Sequence, residues 1–154
     1  MKNWLRGFTV LTIALMLSGC AKKQEPASQA SPGSPTTALK SAFDDGPRAA
    51  AAPVDEGVVK QGEKLFKDKG CSACHAFGRK LTCPDLAGVT QRRTAQWMEH
   101  QVLHPEIMTK QDPIAHELFA KFALQMPNQG LTEAQAHAVI EYFKHQDHEL
   151  STHK

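Results

Sequence analysis

Cys71-Ser72-Ala73-Cys74-His75 is the stretch of this sequence that decides its fold. Two thiols separated by two residues and followed directly by an imidazole form the C-x-x-C-H pattern of c-type haem attachment. At this spacing the thiols can add to the two vinyl groups of one porphyrin, and His75 is then delivered beneath the iron as its ligand. The motif therefore predicts one covalently bound haem c.

Two other chemistries stay open for the same residues. Cys71, Cys74, His75 and Cys83 would also serve as three thiolates and one imidazole around a zinc ion. Cys71 and Cys74 alone are spaced like a thioredoxin-type redox pair. The redox pair expects a βαβ context, whereas the surrounding sequence is helical, and a zinc site leaves the downstream features unexplained. Haem attachment is the favoured interpretation.

The region 54–154 predicts an all-α domain of four or five short helices. No alternating strand pattern persists in it, and the last helix has apolar residues at the spacing i, i+3, i+4, i+7. Residues that begin or end helices recur along the region. In chain order they are Asp55, Gly70, Pro105, Asp112-Pro113 and the capping-box pair Thr132 and Gln135.

A second iron ligand is expected later in the chain, and Met126 is the preferred candidate. It lies between the last two predicted helices, where proline and glycine indicate a loop from which a thioether can point inward. Met108, which the sequence also places in a loop, is the rival. Met98 lies beside Trp97 in a predicted helix and is interpreted as packing. Other competitors are His100, His104 and His116.

Together these motifs resemble the class I, monohaem cytochromes c over residues 55–145. The resemblance implies the cytochrome c fold, with the first and last helices crossing and a single covalent haem in the core. The residues that carry it, in the order of the family, are Gly62 and Phe66, Cys71–His75, Pro84-Asp85-Leu86, Trp97, Met126-Pro127 and Tyr142.

The resemblance also implies roles for residues around the haem. The Pro84 carbonyl would accept the Nδ1–H of His75 and raise its basicity. Arg92 or Arg93 would pair with a haem propionate, and Trp97 would pack at the haem edge. A solvated helix start is the alternative for the two arginines.

Cys83 departs from the family pattern, which usually has glycine before this proline. A small buried hydrophobe is one interpretation of this thiol. The other is an exposed thiol that pairs two molecules in an oxidising compartment. The sequence leaves both open.

Residues 1–19 predict a lipoprotein signal peptide. Lys2 and Arg6 precede the apolar run 8–17, which is too short to cross a hydrocarbon core of about 30 Å as a helix. The run ends in Leu17-Ser18-Gly19-Cys20, which resembles the bacterial lipobox, in which the cysteine is lipidated and the preceding peptide removed. Cys20 would then anchor the chain in a membrane. An ordinary cleavable signal with an incidental Cys20 is the alternative.

Residues 20–53 predict a flexible tether rich in proline, alanine and serine. Leu39 and Phe43 are its only large apolar residues, so it can offset little ordering entropy by burial. The expected location is the bacterial cell envelope, lipid-anchored and facing the periplasm, with the inner or outer membrane left open.

Charge and iron ligation set the expected function. The 154 residues carry a formal net charge of +2, too small to indicate nucleic-acid binding. Histidine and methionine together fill both axial positions and favour ferrous iron, as in electron-transfer proteins. The prediction is an electron carrier, not an enzyme. Its donor would be a respiratory dehydrogenase or quinol-oxidising complex, and its acceptor a terminal reductase or oxidase. A five-coordinate haem sensor or a peroxidase-like protein is the alternative if Met126 does not bind iron.

Overall fold

The computed structural model describes residues 39–153, so the predicted signal 1–19, Cys20 and the first half of the predicted tether lie outside the described residues. Regular structure within the described range consists of seven α-helices and one 3-10 turn, Ala49–Ala51, with no β-strand. The helices are α1 Glu56–Asp68, α2 Cys71–Cys74, α3 Val89–Arg92, α4 Ala95–Leu103, α5 Pro105–Gln111, α6 Pro113–Phe122 and α7 Glu133–Thr152. The predicted all-α fold is confirmed.

The helices begin at the residues that the sequence marks as caps. Asp55 accepts a hydrogen bond from the Gly57 backbone N–H at 3.0 Å at the start of α1. At the start of α7, Thr132 and Gln135 form the complete capping box, with bonds of 3.3 and 3.0 Å. These side chains satisfy N–H groups that have no partner within their helices, which explains why the boundaries are readable from sequence.

The helix count exceeds the prediction because α5 was missed and because two single-turn helices, α2 and α3, lie in the predicted loops. The sequence predicts that the preceding helix ends before Pro105 and no helix starts there, whereas Pro105 is the first residue of α5. Proline suits that position because its fixed φ fits a helix and its missing N–H needs no partner there. One consequence is a correction: Met108 lies in a helix, and not in a loop.

The crossing of α1 and α7 depends on Gly62. A Cβ atom at this position would lie 1.9 Å from the Ala138 carbonyl oxygen and 2.8 Å from the Tyr142 Cβ atom. Only glycine therefore permits this distance between the helices. Phe66, one turn further along α1, packs against Tyr142 with 5.6 Å between ring centroids. The crossing predicted from Gly62, Phe66 and Tyr142 is present.

Phe77 adds a ring to this crossing that the sequence did not single out. Its centroid lies 5.8 Å from Phe66 and 5.7 Å from both Tyr142 and Phe143. Aromatic rings at these distances stabilise a core beyond the area they bury. Since Phe77 follows His75 by two residues, the cluster fixes the motif loop to the helix crossing.

Buried charged residues of α7 hold the chain at two further points. Lys144 is paired with Glu141 at 3.0 Å and donates to the Pro53 carbonyl, while Glu141 accepts from the Asp55 backbone N–H at 2.8 Å. Asp147 accepts from the Thr90 N–H at 3.0 Å and from the Thr90 hydroxyl at 2.6 Å. Buried charges need such partners to offset desolvation. The last helix thereby positions the start of both α1 and α3.

The folded unit begins before Val54, which corrects the end of the predicted tether. Ala49 is buried, and the Phe43 ring lies 4.2 Å from the His100 ring on α4. The Ser41 hydroxyl donates to the Asp112 carboxylate. These partners lie tens of residues away in sequence, so composition alone did not reveal them.

Among residues 39–153, no helix is both long enough and apolar enough to cross a membrane.

The helix crossing predicts a large effect for Gly62→Ala. The added methyl group overlaps the α7 backbone, which cannot move aside like a side chain. We expect a loss of about 2–3 kcal/mol of stability and a fall of about 10–20 °C in Tm. Gly57→Ala in the same helix is the matched control, because its Cβ would meet only the Asp55 side chain, at 3.1 Å. Thermal unfolding followed by circular dichroism measures both variants, and equal Tm values for the two would contradict the role of Gly62.

Candidate functional site

The C-x-x-C-H motif forms a tight turn after α1. Gly70 has φ 75°, the left-handed conformation, and separates α1 from the single turn of α2. The following loop folds back on the motif, with the Cys83 N–H donating to the Cys74 carbonyl at 3.2 Å and Leu86 N–H donating to the Ala76 carbonyl at 2.9 Å. This return brings Pro84 beside His75.

The His75 imidazole is held in one tautomer by Pro84. Its Nδ1 atom lies 2.9 Å from the Pro84 carbonyl oxygen, which can only accept, so Nδ1 carries the proton and Nε2 is left unprotonated. Burial lowers the pKa of His75, and the Pro84 hydrogen bond opposes this shift. The imidazole is therefore neutral at physiological pH, the form that binds metals. The contact predicted for Pro84 is present.

One cavity of about 1110 Å³, counting its open mouth, brings most of the predicted residues together. The predicted residues in its wall are Cys71, His75, Pro84, Arg92, Arg93, Trp97 and Met126. Cys74 is not in the wall, but its carbonyl accepts from Cys83, which is. The remainder of the wall is mainly apolar and includes Phe66, Leu86, Val89, Val102, Leu118, Val139 and Phe143.

The three candidate methionines, Met98, Met108 and Met126, differ in whether they line this cavity. Met126 lies in the non-helical segment between α6 and α7, as predicted, and its side chain lines the cavity. Met98 also reaches the wall but is a buried residue of α4. Met108 is 1% exposed within α5 and is not among the lining residues. The geometry thus favours Met126 over Met108 as the partner of His75.

Gln101 is a residue at this site that sequence reasoning missed. Its Nε2 atom lies 3.7 Å from the Met126 sulfur, at the distance of a weak N–H···S hydrogen bond. Within the described part of the chain, its Oε1 atom is buried and has no hydrogen-bond partner. A single glutamine inside a helix carries no motif that would have identified it. Because a thioether sulfur has two lone pairs, this contact is compatible with metal binding by Met126.

The two arginines differ in their surroundings. Arg92 is exposed and donates to the Ala87 carbonyl at 2.7 Å, while Arg93 contacts the Asp44 carboxylate at 3.3 Å. The Arg93 guanidinium also lies 5.2 Å from the centroid of the Trp97 ring, a cation–π distance. Trp97 is 4% exposed and donates from Nε1 to Asp112 at 3.1 Å. Arg93 is therefore held by Asp44 and Trp97 within the protein, and its pairing with a propionate stays a prediction.

The donor set fits a covalent haem. A neutral imidazole and a thioether line one apolar cavity, and the two motif thiols are not joined in a disulfide. Histidine and methionine are the axial pair of cytochromes c. In residues 39–153, no three side chains from His, Cys, Asp and Glu are grouped to hold a metal ion, so the structure does not assemble the zinc alternative.

Cys83 has the environment of a buried hydrophobe. It is 7% exposed and lines the cavity. Burial raises the pKa of its thiol. Since the thiolate is the reactive form, this shift and the low exposure both reduce the reactivity of Cys83, in line with the first of its two interpretations.

This burial predicts slow alkylation of Cys83. In the native protein at neutral pH, iodoacetamide should modify it more than about tenfold slower than in guanidinium chloride, because reaction requires local opening that costs at least 1.4 kcal/mol. Peptide mapping by mass spectrometry identifies the modified thiol. Equal rates in both solvents, or a dimer linked through Cys83 on a non-reducing gel, would contradict the buried assignment.

Comparison with known proteins agrees with this site. The sequence profile of the Cytochrome c family matches residues 59–147. The fold is similar to that of the cytochrome c from Rhodothermus marinus, with a TM-score of 0.60 and 28% identity over 66% of this chain and 96% of that chain. A search of curated proteins finds no significant match.

Two engineered forms of the Rhodothermus marinus protein are also similar. One, Rma TDE, gives a TM-score of 0.59 at 28% identity. The other is Rma TDE bound to a carbene intermediate, with a TM-score of 0.56 at 29% identity. Both comparisons cover 66% of this chain and 96% of the engineered chain. The profile match spans more than half of the chain and includes the motif, the helix crossing and Met126, and the chain therefore belongs to the cytochrome c family, whose members carry covalently bound haem c and transfer electrons.

Proposed function

We propose that this protein is a membrane-tethered, class I monohaem cytochrome c that carries single electrons between respiratory partners outside the cytoplasm. Cys71 and Cys74 attach the haem, and His75 and Met126 are its two iron ligands. The observation that carries the proposal is that His75 and Met126 line the same apolar cavity, with the attachment motif in its wall.

Haem c supplies an iron that gains and loses one electron between its ferric and ferrous states. The chain contributes the environment of that exchange. Burial favours the neutral form of His75, and the Pro84 carbonyl orients the ring through the hydrogen bond to Nδ1. Gln101 contacts the sulfur of Met126 at 3.7 Å and so limits the rotation of this side chain. With both His75 and Met126 bound to the iron, no coordination position would be left for a substrate, which would favour electron transfer over catalysis.

The apolar wall favours the ferrous state. Oxidation adds a positive charge to the iron, and a charge is costly in a medium of low dielectric constant. Methionine ligation acts in the same direction. The carrier would therefore work at a relatively high potential, between a dehydrogenase or quinol-oxidising complex as donor and a terminal reductase or oxidase as acceptor.

The location rests on the N-terminal sequence. A basic start, an apolar run and Leu17-Ser18-Gly19-Cys20 support export and lipidation at Cys20. Acyl chains on Cys20 give the two signals that stable membrane attachment requires. The tether is then shorter than its composition indicates, because the chain from Ser41 onward contacts the folded unit.

The ligand assignment predicts the spectrum of Met126→Leu. This change keeps the apolar volume and removes the sulfur, so the weak far-red band of methionine-ligated ferric haem should vanish and the reduction potential should fall. Met108→Leu is the matched control, since that sulfur lies in α5 outside the cavity wall. Optical spectra of the oxidised proteins and a one-electron redox titration measure both. A band retained in Met126→Leu, or lost in Met108→Leu, would overturn the assignment in favour of another methionine, whereas a band absent from the oxidised wild-type protein would favour the sensor or peroxidase-like alternative.

Lipidation predicts a change of fractionation for Cys20→Ser. The wild-type chain should pellet with bacterial membranes and incorporate labelled palmitate. The variant should lose the label and be enriched in the soluble fraction, provided its signal is cleaved. Haem content per chain should stay the same, because Cys20 is far from the motif in sequence. Unchanged labelling and pelleting of the variant would contradict the anchor.

A further inference from the structure

We propose that Ser41–Ala49, here called the strap, is a positioning element of the haem pocket and acts through Asp44 on Arg93. This inference rests on the proposed haem site and adds a part of the chain to it. The strap lies before residues 59–147, the region that matches the cytochrome c family.

Asp44 binds the residues at the start of α4 through ion pairs and a backbone hydrogen bond. Its carboxylate lies 3.3 Å from the Arg93 guanidinium and 3.0 Å from that of Arg48. The same carboxylate accepts from the Thr94 backbone N–H at 2.8 Å, and Thr94 is the N-cap of α4. The Asp44 side chain is only 8% exposed, so these contacts are shielded from solvent and are stronger than surface ion pairs.

The strap also holds the backbone of this region. The Ala49 N–H donates to the Arg93 carbonyl at 2.9 Å, and the Thr94 hydroxyl donates to the Phe43 carbonyl at 2.8 Å. Arg48 donates to the Arg92 carbonyl at 2.8 Å. Both the side chain and the main chain of Arg93 are thus bound by strap residues.

The strap is also linked to Trp97 through a hydrogen bond to Asp112. Ser41 donates to the buried Asp112 carboxylate, which accepts from Trp97 Nε1 at 3.1 Å. The Trp97 ring in turn lies under the Arg93 guanidinium, 5.2 Å from ring centroid to the guanidinium carbon. Arg93 is therefore enclosed by Asp44 on one side and by a fixed aromatic ring on another.

Arg93 and Trp97 line the cavity, whereas no strap residue does. The contacts of the strap therefore reach the haem through the residues it holds, in addition to the direct field of its charges. Arg93 supplies a permanent positive charge to the cavity wall, and Asp44 offsets part of that charge and sets its place. Removing the Asp44 charge should expose more of the positive field to the haem, which disfavours ferric iron and raises the reduction potential.

The test compares Asp44→Asn with Asp45→Asn in the haem-bound protein. Both remove one negative charge at neighbouring positions, but Asp45 is exposed and makes no ion pair within the described residues. We expect Asp44→Asn to shift the equilibrium with a one-electron reference couple about threefold toward the ferrous state, about 28 mV at 59 mV per tenfold change. Asp45→Asn should shift it by less than half as much.

Arg93→Gln makes the test specific to positioning. In that background the difference between Asp44→Asn and Asp45→Asn should fall to less than half, because the residue through which Asp44 acts is gone and only the direct field of the charge remains. Asp44→Glu keeps the charge and moves it, so it should also shift the potential if position matters. Equal potentials for the two asparagine variants, or an Asp44→Asn effect that is undiminished in Arg93→Gln, would overturn the proposal.

The outcomes also separate this inference from the proposed function. If the chain carries no covalent haem, the proposed function fails before any potential is measured. If haem is attached but Asp44 and Asp45 variants behave alike, only the role of the strap fails. If Asp44→Asn does not yield haem-bound protein, the reduction potentials of Asp44→Glu and Asp45→Glu are compared instead, because neither substitution changes the charge of the protein.

Discussion

The contact of Gly62 with the backbone of α7 at Ala138 is the constraint on which the rest of the structure depends. It brings the first and last helices together closely enough for Phe66 to pack against Tyr142. Two buried acids of α7 hydrogen-bond to other helices, Glu141 at the start of α1 and Asp147 at the start of α3. The segment between these two helix starts contains the attachment motif, so α7 fixes both ends of that segment.

A cavity wall built in this way suits electron transfer. Under the proposed function, close packing around the cavity would hold His75 and Met126 in place in both oxidation states of the iron, so little reorganisation would accompany each electron exchange. Pro84 and Gln101 make polar contacts with the two donor side chains and orient them. The strap extends the same principle to residues before the profile match, because it holds Arg93 from outside the cavity.

Local chemistry decided which features were predictable from sequence. Caps such as Asp55 and the Thr132–Gln135 pair satisfy backbone groups a few residues away, and the attachment motif is contiguous. Both can therefore be recognised from a few neighbouring residues of the sequence. Pro105 misled the prediction because proline marks a helix start as readily as a helix end. Gln101 carries no pattern at all, since its role depends only on its distance from Met126.

The strap was hidden for a different reason. Its composition resembles a disordered linker, and only pairing across some 50 residues of sequence orders it: Asp44 with Arg93 and Thr94, and Phe43 with His100. Composition measures how much apolar area a segment can bury, but it does not register single charged and aromatic contacts with distant residues.

Mass spectrometry of the purified, acid-denatured protein, together with its pyridine haemochrome spectrum, tests most directly whether one haem is bonded to Cys71 and Cys74. Each chain should retain one haem after denaturation, with a haemochrome band typical of two thioether bonds and the haem mass on the peptide that contains both cysteines. A chain whose mass lacks haem, or from which acid extracts the haem, would show that the haem is not bonded to these cysteines.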